Sequence, residues 1–549
     1  MTALRWLWPL ALLVCPFPAG PQAADPLPTP IPNSTPEAEP LGPIAPLPAV
    51  PVAEPTEAAA PWFEVSLARG LLDGPANGRL LVIVSRRARP EPRDAIGLPL
   101  PGAPLVLGVD ADGLAPGGVV TVDSSAEAFP ENGLDRLPAG DSTAQAVLLR
   151  NPDLLLLDAP GNLSSPPTPI RLDPARDGPI RLELSRIEPP EELPPDSDLV
   201  RFLKLPSTLL SDFHGRPMFL RAAVVLPRDF DREPDRRYPL RVHIGGFGAR
   251  YTAARRRMAE GSPFRELWLA DDTPRFLMLF LDGAGPLGDP YQVNSANHGP
   301  FGDAITTELI PFVERTYRGI GEGHARVLDG GSTGGWVALA LQVFYPEFFN
   351  GCWSSCPDSV DFRSFQLVNI YEDANAYRSP DGSPRAAFRR EDGTAVYSMR
   401  DECQLENVLG RGDSWTMSGG QWGSWNATYG PRGPDGRPVP LWDPKTGAID
   451  RSVLDHWKRY DLRRVLEENW ASLGPKLRGK LRIWVGEADN FFLEDAVHRL
   501  DAFLQTADPP FEGLIAYGEG EGHCWSGISE AEMMRQMAEA VASAARPDR

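Results

Sequence analysis

Apolar positions recur along this chain in two rhythms. Between residues 62 and about 187 they fall in short runs, at 63–67, 80–84, 104–109, 119–122, 143–149 and 180–184. Gly-Pro, Asp-Gly, Pro-Gly-Gly and Pro-Gly-Asn turns punctuate them. Runs of that length with no helical period predict strands, and several at this spacing predict an all-β sandwich over residues 62–188. After the rigid segment 189–195 (PPEELPP) the rhythm changes. Strand-length runs at 221–226, 238–244, 275–281, 326–329, 350–355, 481–485 and 513–517 now alternate with helical-period segments. The predicted helices are 301–317 (interrupted by Pro311), 336–344, 493–507 and 528–545. That alternation is the pattern of a parallel α/β sheet, here spanning residues 196–549. The stretch 357–477 is far longer than a single crossover requires and reads as an insertion.

The front of the chain follows neither rhythm. Residues 1–24 read as an export signal: Arg5 supplies the positive end, 7–14 a short apolar core, and Ala19 to Ala24 the small residues for cleavage. Cys15 follows Val14, where lipid attachment requires a small residue. Residues 25–61 are rich in Pro, Ala and Glu, with little apolar side chain to bury, and read as a semi-stiff disordered linker. No run is long enough to cross a bilayer, so the expectation is an exported protein, periplasmic or secreted, without stable membrane insertion. A formal charge of −20 argues against nucleic acid as a partner.

The candidate chemistry centres on Gly330-Gly331-Ser332-Thr333-Gly334, a Gly-x-Ser-x-Gly turn between a predicted strand and a predicted helix. Such a turn lifts a serine above the sheet edge, and a Cβ beside it would clash. A serine hydroxyl is a weak nucleophile that needs an imidazole to take its proton, and the imidazole needs a carboxylate to orient it. On this fold the order is serine, acid, histidine. Asp489 follows the strand at 481–485, with Glu487 as the alternative acid, and His523 follows the strand at 513–517. Of seven histidines only His523 lies in a glycine-flanked loop beyond both. Oxyanion donors are expected from the backbone of Thr333 and from the glycine-rich loop after 238–244, either Phe247 or Gly246.

From about Met218 onward the chain resembles the esterase D-like family of α/β-hydrolases, which includes feruloyl and acetyl xylan esterases, enterochelin esterases and mycolyltransferases. The likeness rests on residues 243–248, the helix from Asp303 to Tyr317 with Glu308-Leu309-Ile310-Pro311, residues 330–334, Tyr345-Pro346, and the Asp489 and His523 loops. It implies a nucleophile, acid and base at Ser332, Asp489 and His523; no cofactor is expected, and no metal, since the spacing of the cysteines fits no zinc site. Two features depart from the family: the oxyanion loop reads His-Ile-Gly-Gly-Phe-Gly rather than the usual His-Gly, and the insertion is unusually long.

The insertion carries six tryptophans, and Trp422 and Trp425, in a glycine-rich stretch, are candidates to touch substrate. His298, in the loop after the strand at 275–281, is a further candidate pocket residue. Cys352, Cys356, Cys403 and Cys524 remain after export and allow three pairings. Some feruloyl esterases join cysteines flanking nucleophile and histidine; Gly331 precedes Ser332, so that arrangement is absent. The expected function is an exported serine hydrolase acting on small-molecule or saccharide-linked carboxylic esters through an acyl-enzyme. Acyl transfer or peptide cleavage on the same triad, and a binding protein on a hydrolase scaffold, are the competing readings.

Overall fold

The computed structural model describes residues 62–130, 139–172 and 179–545. The export signal and the proline-rich linker fall outside these residues. A three-stranded sheet (Val119–Val122, Phe63–Leu67, Ile180–Leu184) faces a larger sheet centred on Gly140–Leu149, Ala76–Ser85 and Leu105–Leu114. Phe63, Val65 and Leu67 alternate inward against Leu80, Val82, Leu107, Ala146 and Leu148, which makes one sandwich core. The run Leu80–Val84 is apolar throughout because its other face is buried too. Leu81, Ile83, Val106 and Val147 pack on Leu405 and Val408, which belong to the insertion.

The second region holds an eight-stranded sheet among the described residues. Its strands are β1 (Val200–Ser207), β2 (Met218–Val225), β3 (Leu240–Ile244), β4 (Leu277–Leu281), β5 (Arg326–Gly331), β6 (Cys352–Ser355), β7 (Leu481–Gly486) and β8 (Leu514–Gly518). Their order is β1-β2-β4-β3-β5-β6-β7-β8, and every pairing from β4 to β8 is parallel. This is the α/β-hydrolase fold. β1 had no counterpart in the apolar pattern, since Lys204 and Pro206 interrupt it. It is an edge strand paired only with β2, where a residue lacking an N–H is tolerated.

The helices that matter to the site are α1 (Thr333–Phe344), α2 (Met399–Leu409), α3 (Gln421–Tyr429), α4 (Leu462–Leu477), α5 (Glu494–Leu504) and α6 (Glu530–Ala544). The helix at 301–316 contains a π turn at Ile305–Leu309, just ahead of Pro311, whose missing N–H breaks the regular ladder. Beneath the sheet's centre, Arg241 of β3 is fully buried and makes a two-pronged pair with Asp329 of β5 at 2.7 and 2.9 Å. It also pairs with Glu530 of α6, and His243 Nδ1 joins Asp329 at 2.7 Å. Losing one member of such a buried network costs about 3–5 kcal/mol, so it fixes the strands that carry the site.

The insertion is not an aromatic wall around a cleft. Trp415, Trp422, Trp425, Trp442 and Trp457 are each at most 2% exposed and share one core with Trp336 of α1 and the sheet. The glycine-rich stretch that carries Trp422 and Trp425 runs into α3, which holds both residues. Asp110 and Asp112 of the sandwich reach across to the insertion. Asp110 binds Arg79 at 3.1 Å and the Gly412 N–H at 2.9 Å, and Asp112 pairs with Arg411.

Candidate active site

β3, β5, β6, β7 and β8 all end at the same edge of the sheet, so the loops that follow them converge there. Ser332 stands between β5 and α1 at φ 58° and ψ −126°, a backbone a non-glycine residue adopts only when its surroundings force it. The forcing is visible on both sides. A Cβ on Gly334 would lie 2.1 Å from the Ile244 carbonyl oxygen, and one on Gly330 2.3 Å from that of Gly334. The helix can therefore begin this close to β3 only with glycine at both positions. The Ser332 N–H is held by the Ser355 carbonyl at 3.1 Å and lies 3.2 Å from Cys356 Sγ.

Asp489 follows β7 and is fully buried, with Oδ2 accepting from His523 Nδ1 at 2.8 Å and Oδ1 from the Phe491 N–H at 2.8 Å. Glu487 is exposed. The His523 ring packs edge-on against Phe491, and the His523 backbone N–H donates to Asn490 Oδ1 at 3.0 Å. Burial pushes the imidazole pKa down, but the charge and hydrogen bond of Asp489, helped by Asp358, outweigh it, and the net shift is upward. A disulfide joins Cys524, next to the histidine, to Cys356 at the end of β6. Cys356, Cys524 and His523 form a group with metal-ligand spacing, but both sulfurs are spent on each other and Nδ1 on Asp489.

The loop after β3 brings Gly246 alongside the serine: a Cβ there would sit 3.8 Å from Ser332 Cβ. Its shape is held by Asp289, whose Oδ2 accepts the Gly248 N–H at 3.1 Å and Oδ1 the Tyr291 N–H at 3.0 Å. Burial pushes the Asp289 carboxyl up to about 7. Among the described residues no acceptor takes the Phe247 N–H. Thr333 opens α1, where backbone N–H groups have no partner within the helix.

Three expected pocket residues are placed otherwise. His298 is fully buried, its ring against Phe301 and its carbonyl accepting from His214 Nε2, and burial pushes its pKa down to about 3. Trp422 is 1% exposed between Phe365, Trp425 and Trp442. Both are packing residues and present no surface to a cleft. Trp425 is buried as well, but its indole N–H donates to Asp358 Oδ2 at 3.1 Å.

Asp358 went unnoticed in the sequence. It lies three residues past β6 and is 3% exposed. Its Oδ2 accepts from Tyr291 Oη at 2.7 Å, Thr333 Oγ1 at 2.9 Å, Trp425 Nε1 at 3.1 Å and Gln421 Nε2 at 3.2 Å. Its Oδ1 faces Ser332 Oγ at 3.4 Å. Burial raises the pKa of this carboxyl against the pull of those hydrogen bonds. The readable signal was positional: Cys-Pro-Asp directly follows the strand beside the serine strand, at the edge where open α/β sheets bind ligands.

No curated protein sequence matches this chain. Among solved structures it is similar to a ferulic acid esterase (14% identity, covering 62% of this chain and 98% of that one, TM-score 0.36). It is also similar to an S-formylglutathione hydrolase from Agrobacterium tumefaciens (13% identity, 62% and 95% covered, TM-score 0.33). A third is MPT51 (FbpC1) of Mycobacterium tuberculosis (12% identity, 63% and 99% covered, TM-score 0.33). Residues 290–532, the stretch that carries Ser332, Asp358, Asp489 and His523, match the family model described as "Putative esterase".

Proposed function

We propose that the protein is an exported serine hydrolase that cleaves carboxylic esters through an acyl-enzyme. The observation that carries this reading is the left-handed Ser332 at a strand-to-helix turn, on the same sheet edge as a buried Asp489–His523 pair 2.8 Å apart. In the first step Ser332 Oγ attacks the ester carbonyl carbon while His523 Nε2 takes the hydroxyl proton. Asp489 keeps the other ring nitrogen protonated and stabilises the imidazolium that forms. The tetrahedral oxyanion is received by the N–H of Thr333 and that of Phe247, with Gly246 as the alternative donor, on a loop that Asp289 holds in shape. His523 then gives its proton to the departing alkoxide, and water activated by the same imidazole releases the acid. No metal and no cofactor enters these steps.

Hydrolysis of p-nitrophenyl acyl esters by the wild type and by Ser332→Ala tests the reading. The variant should lose activity by a factor on the order of 10³ or more while folding normally. Equal rates in the two proteins would discard it. Product analysis with added alcohols separates hydrolysis from acyl transfer.

A further inference from the structure

Asp358 takes no part in the steps above, yet it is the buried carboxylate set against the nucleophile. Its two oxygens are used unequally. Oδ2 collects hydrogen bonds from Tyr291, Thr333, Gln421 and Trp425, while Oδ1 receives none of these and faces Ser332 Oγ at 3.4 Å. In the free protein the serine hydroxyl can supply Oδ1 with a proton to share. Once Ser332 attacks, that proton has moved to His523 and the ester oxygen has no hydrogen to offer. Oδ1 is then a buried acceptor beside another oxygen lone pair, and an unmet buried acceptor is costly. A donor that arrives with the substrate removes this cost at the moment the barrier is crossed, which favours reaction rather than mere binding.

Geometry limits where that donor can sit. A hydroxyl on the carbon next to the ester carbonyl lies three bonds from Oγ in the acyl-enzyme. That distance is within hydrogen-bonding reach of an acceptor placed as Oδ1 is. A hydroxyl on the alcohol side is two bonds farther away and leaves with the alcohol. We infer that Asp358 Oδ1 is the acceptor for the hydroxyl of a 2-hydroxyacyl ester, and that such esters are the preferred substrate class. The four donors on Oδ2 lock the carboxylate so that Oδ1 cannot turn away, and two of them, Gln421 and Trp425, come from α3 of the insertion. The insertion thus contributes to specificity through the carboxylate it orients rather than through an exposed aromatic face.

This inference rests on Ser332 as the nucleophile, and the two are tested separately. The readout is the ratio of kcat/KM for methyl lactate over methyl propionate, which does not depend on how much of a preparation is folded. Wild type should favour the lactate by about ten- to a hundredfold beyond the ratio found in alkaline hydrolysis, the range of a hydrogen bond to a charged group. In Asp358→Asn the same four donors hold the amide oxygen at the Oδ2 position and leave the NH₂ toward Ser332, so the ratio should fall to the alkaline value. Tyr291→Phe, which removes one Oδ2 donor and leaves Oδ1 in place, should keep the preference. A wild-type ratio equal to the alkaline one, no turnover of either ester by enzyme active on p-nitrophenyl esters, or an unchanged ratio in Asp358→Asn overturns the assignment. So does a preference for 2-hydroxyethyl acetate over propyl acetate with none for lactate. Hydrolysis that survives in Ser332→Ala would instead overturn the nucleophile.

Discussion

On the proposed mechanism His523 must be neutral to take a proton, so its ionisation would set the acidic limb of activity. Burial lowers the imidazole pKa, Asp489 raises it more, and the net lies above the ordinary histidine value of 6.5. Protonation inactivates the base, so kcat/KM should rise with pH through a midpoint above 6.5. Asp489→Asn removes the charge that raises the pKa and permits the wrong tautomer. The limb should move down, and kcat should fall by roughly 10³–10⁴. A limb that stays in place while kcat falls would mean that another group titrates. The candidates Ser332, Asp489 and His523 were legible because each sits one turn past a strand, and strands leave a local mark in sequence. Asp358 also follows a strand, but it stands outside the serine–acid–histidine order and only its contacts mark it out. Its partners Tyr291, Gln421 and Trp425 are remote in the chain, and only folding makes them neighbours.

The loops after β6 and β8 are joined by Cys356–Cys524 across a sequence separation of 168 residues. This bond ties the His523 loop to the Ser332 turn: a Cβ on Gly331 would stand 3.4 Å from Cys524 Sγ, and Cys356 Sγ lies 3.2 Å from the Ser332 N–H. Four cysteines allow three pairings, and the sequence could not choose among them because the choice is a distance between loops far apart in the chain. Trp422 and Trp425, expected to touch substrate, are buried for a related reason, since a tryptophan's exposure depends on what covers it. Cys352 and Cys403 are buried and unpaired. Replacing Cys356 and Cys524 together by alanine should cost about 2–5 kcal/mol of stability. It should also lower kcat more than it raises KM, because the base is then less well placed. Calorimetry and steady-state kinetics below the unfolding transition check this, and kinetics indistinguishable from wild type would leave the bond a purely structural role.

The sandwich reaches the candidate site without touching it. Arg79, 3% exposed in the strand Ala76–Ser85, donates to the carbonyls of Val408 and Asn407 at 2.9 and 3.3 Å, and so caps the end of α2. A Cβ on Gly108 would stand 2.2 Å from the Val408 oxygen, so the neighbouring strand admits α2 only because glycine stands there. Two residues before Val408 in α2, Glu406 accepts the N–H groups of Trp422 and Gly423 at 2.9 Å each and fixes the start of α3. α3 in turn carries Gln421 and Trp425 to Asp358. A second contact runs from the Leu155 N–H to the Gly285 carbonyl at 3.0 Å, in the loop that leads to Asp289, which accepts the Gly248 N–H. On this geometry the sandwich is a buttress for the insertion. Arg79→Met should destabilise the protein by about 2–4 kcal/mol, since it leaves two helix-end carbonyls without donors in a buried interface. Measured well below its melting temperature, the variant should also lose part of the lactate-over-propionate preference, because α3 is no longer held from behind. If the melting temperature falls and that ratio does not, the sandwich stabilises the insertion without positioning Asp358.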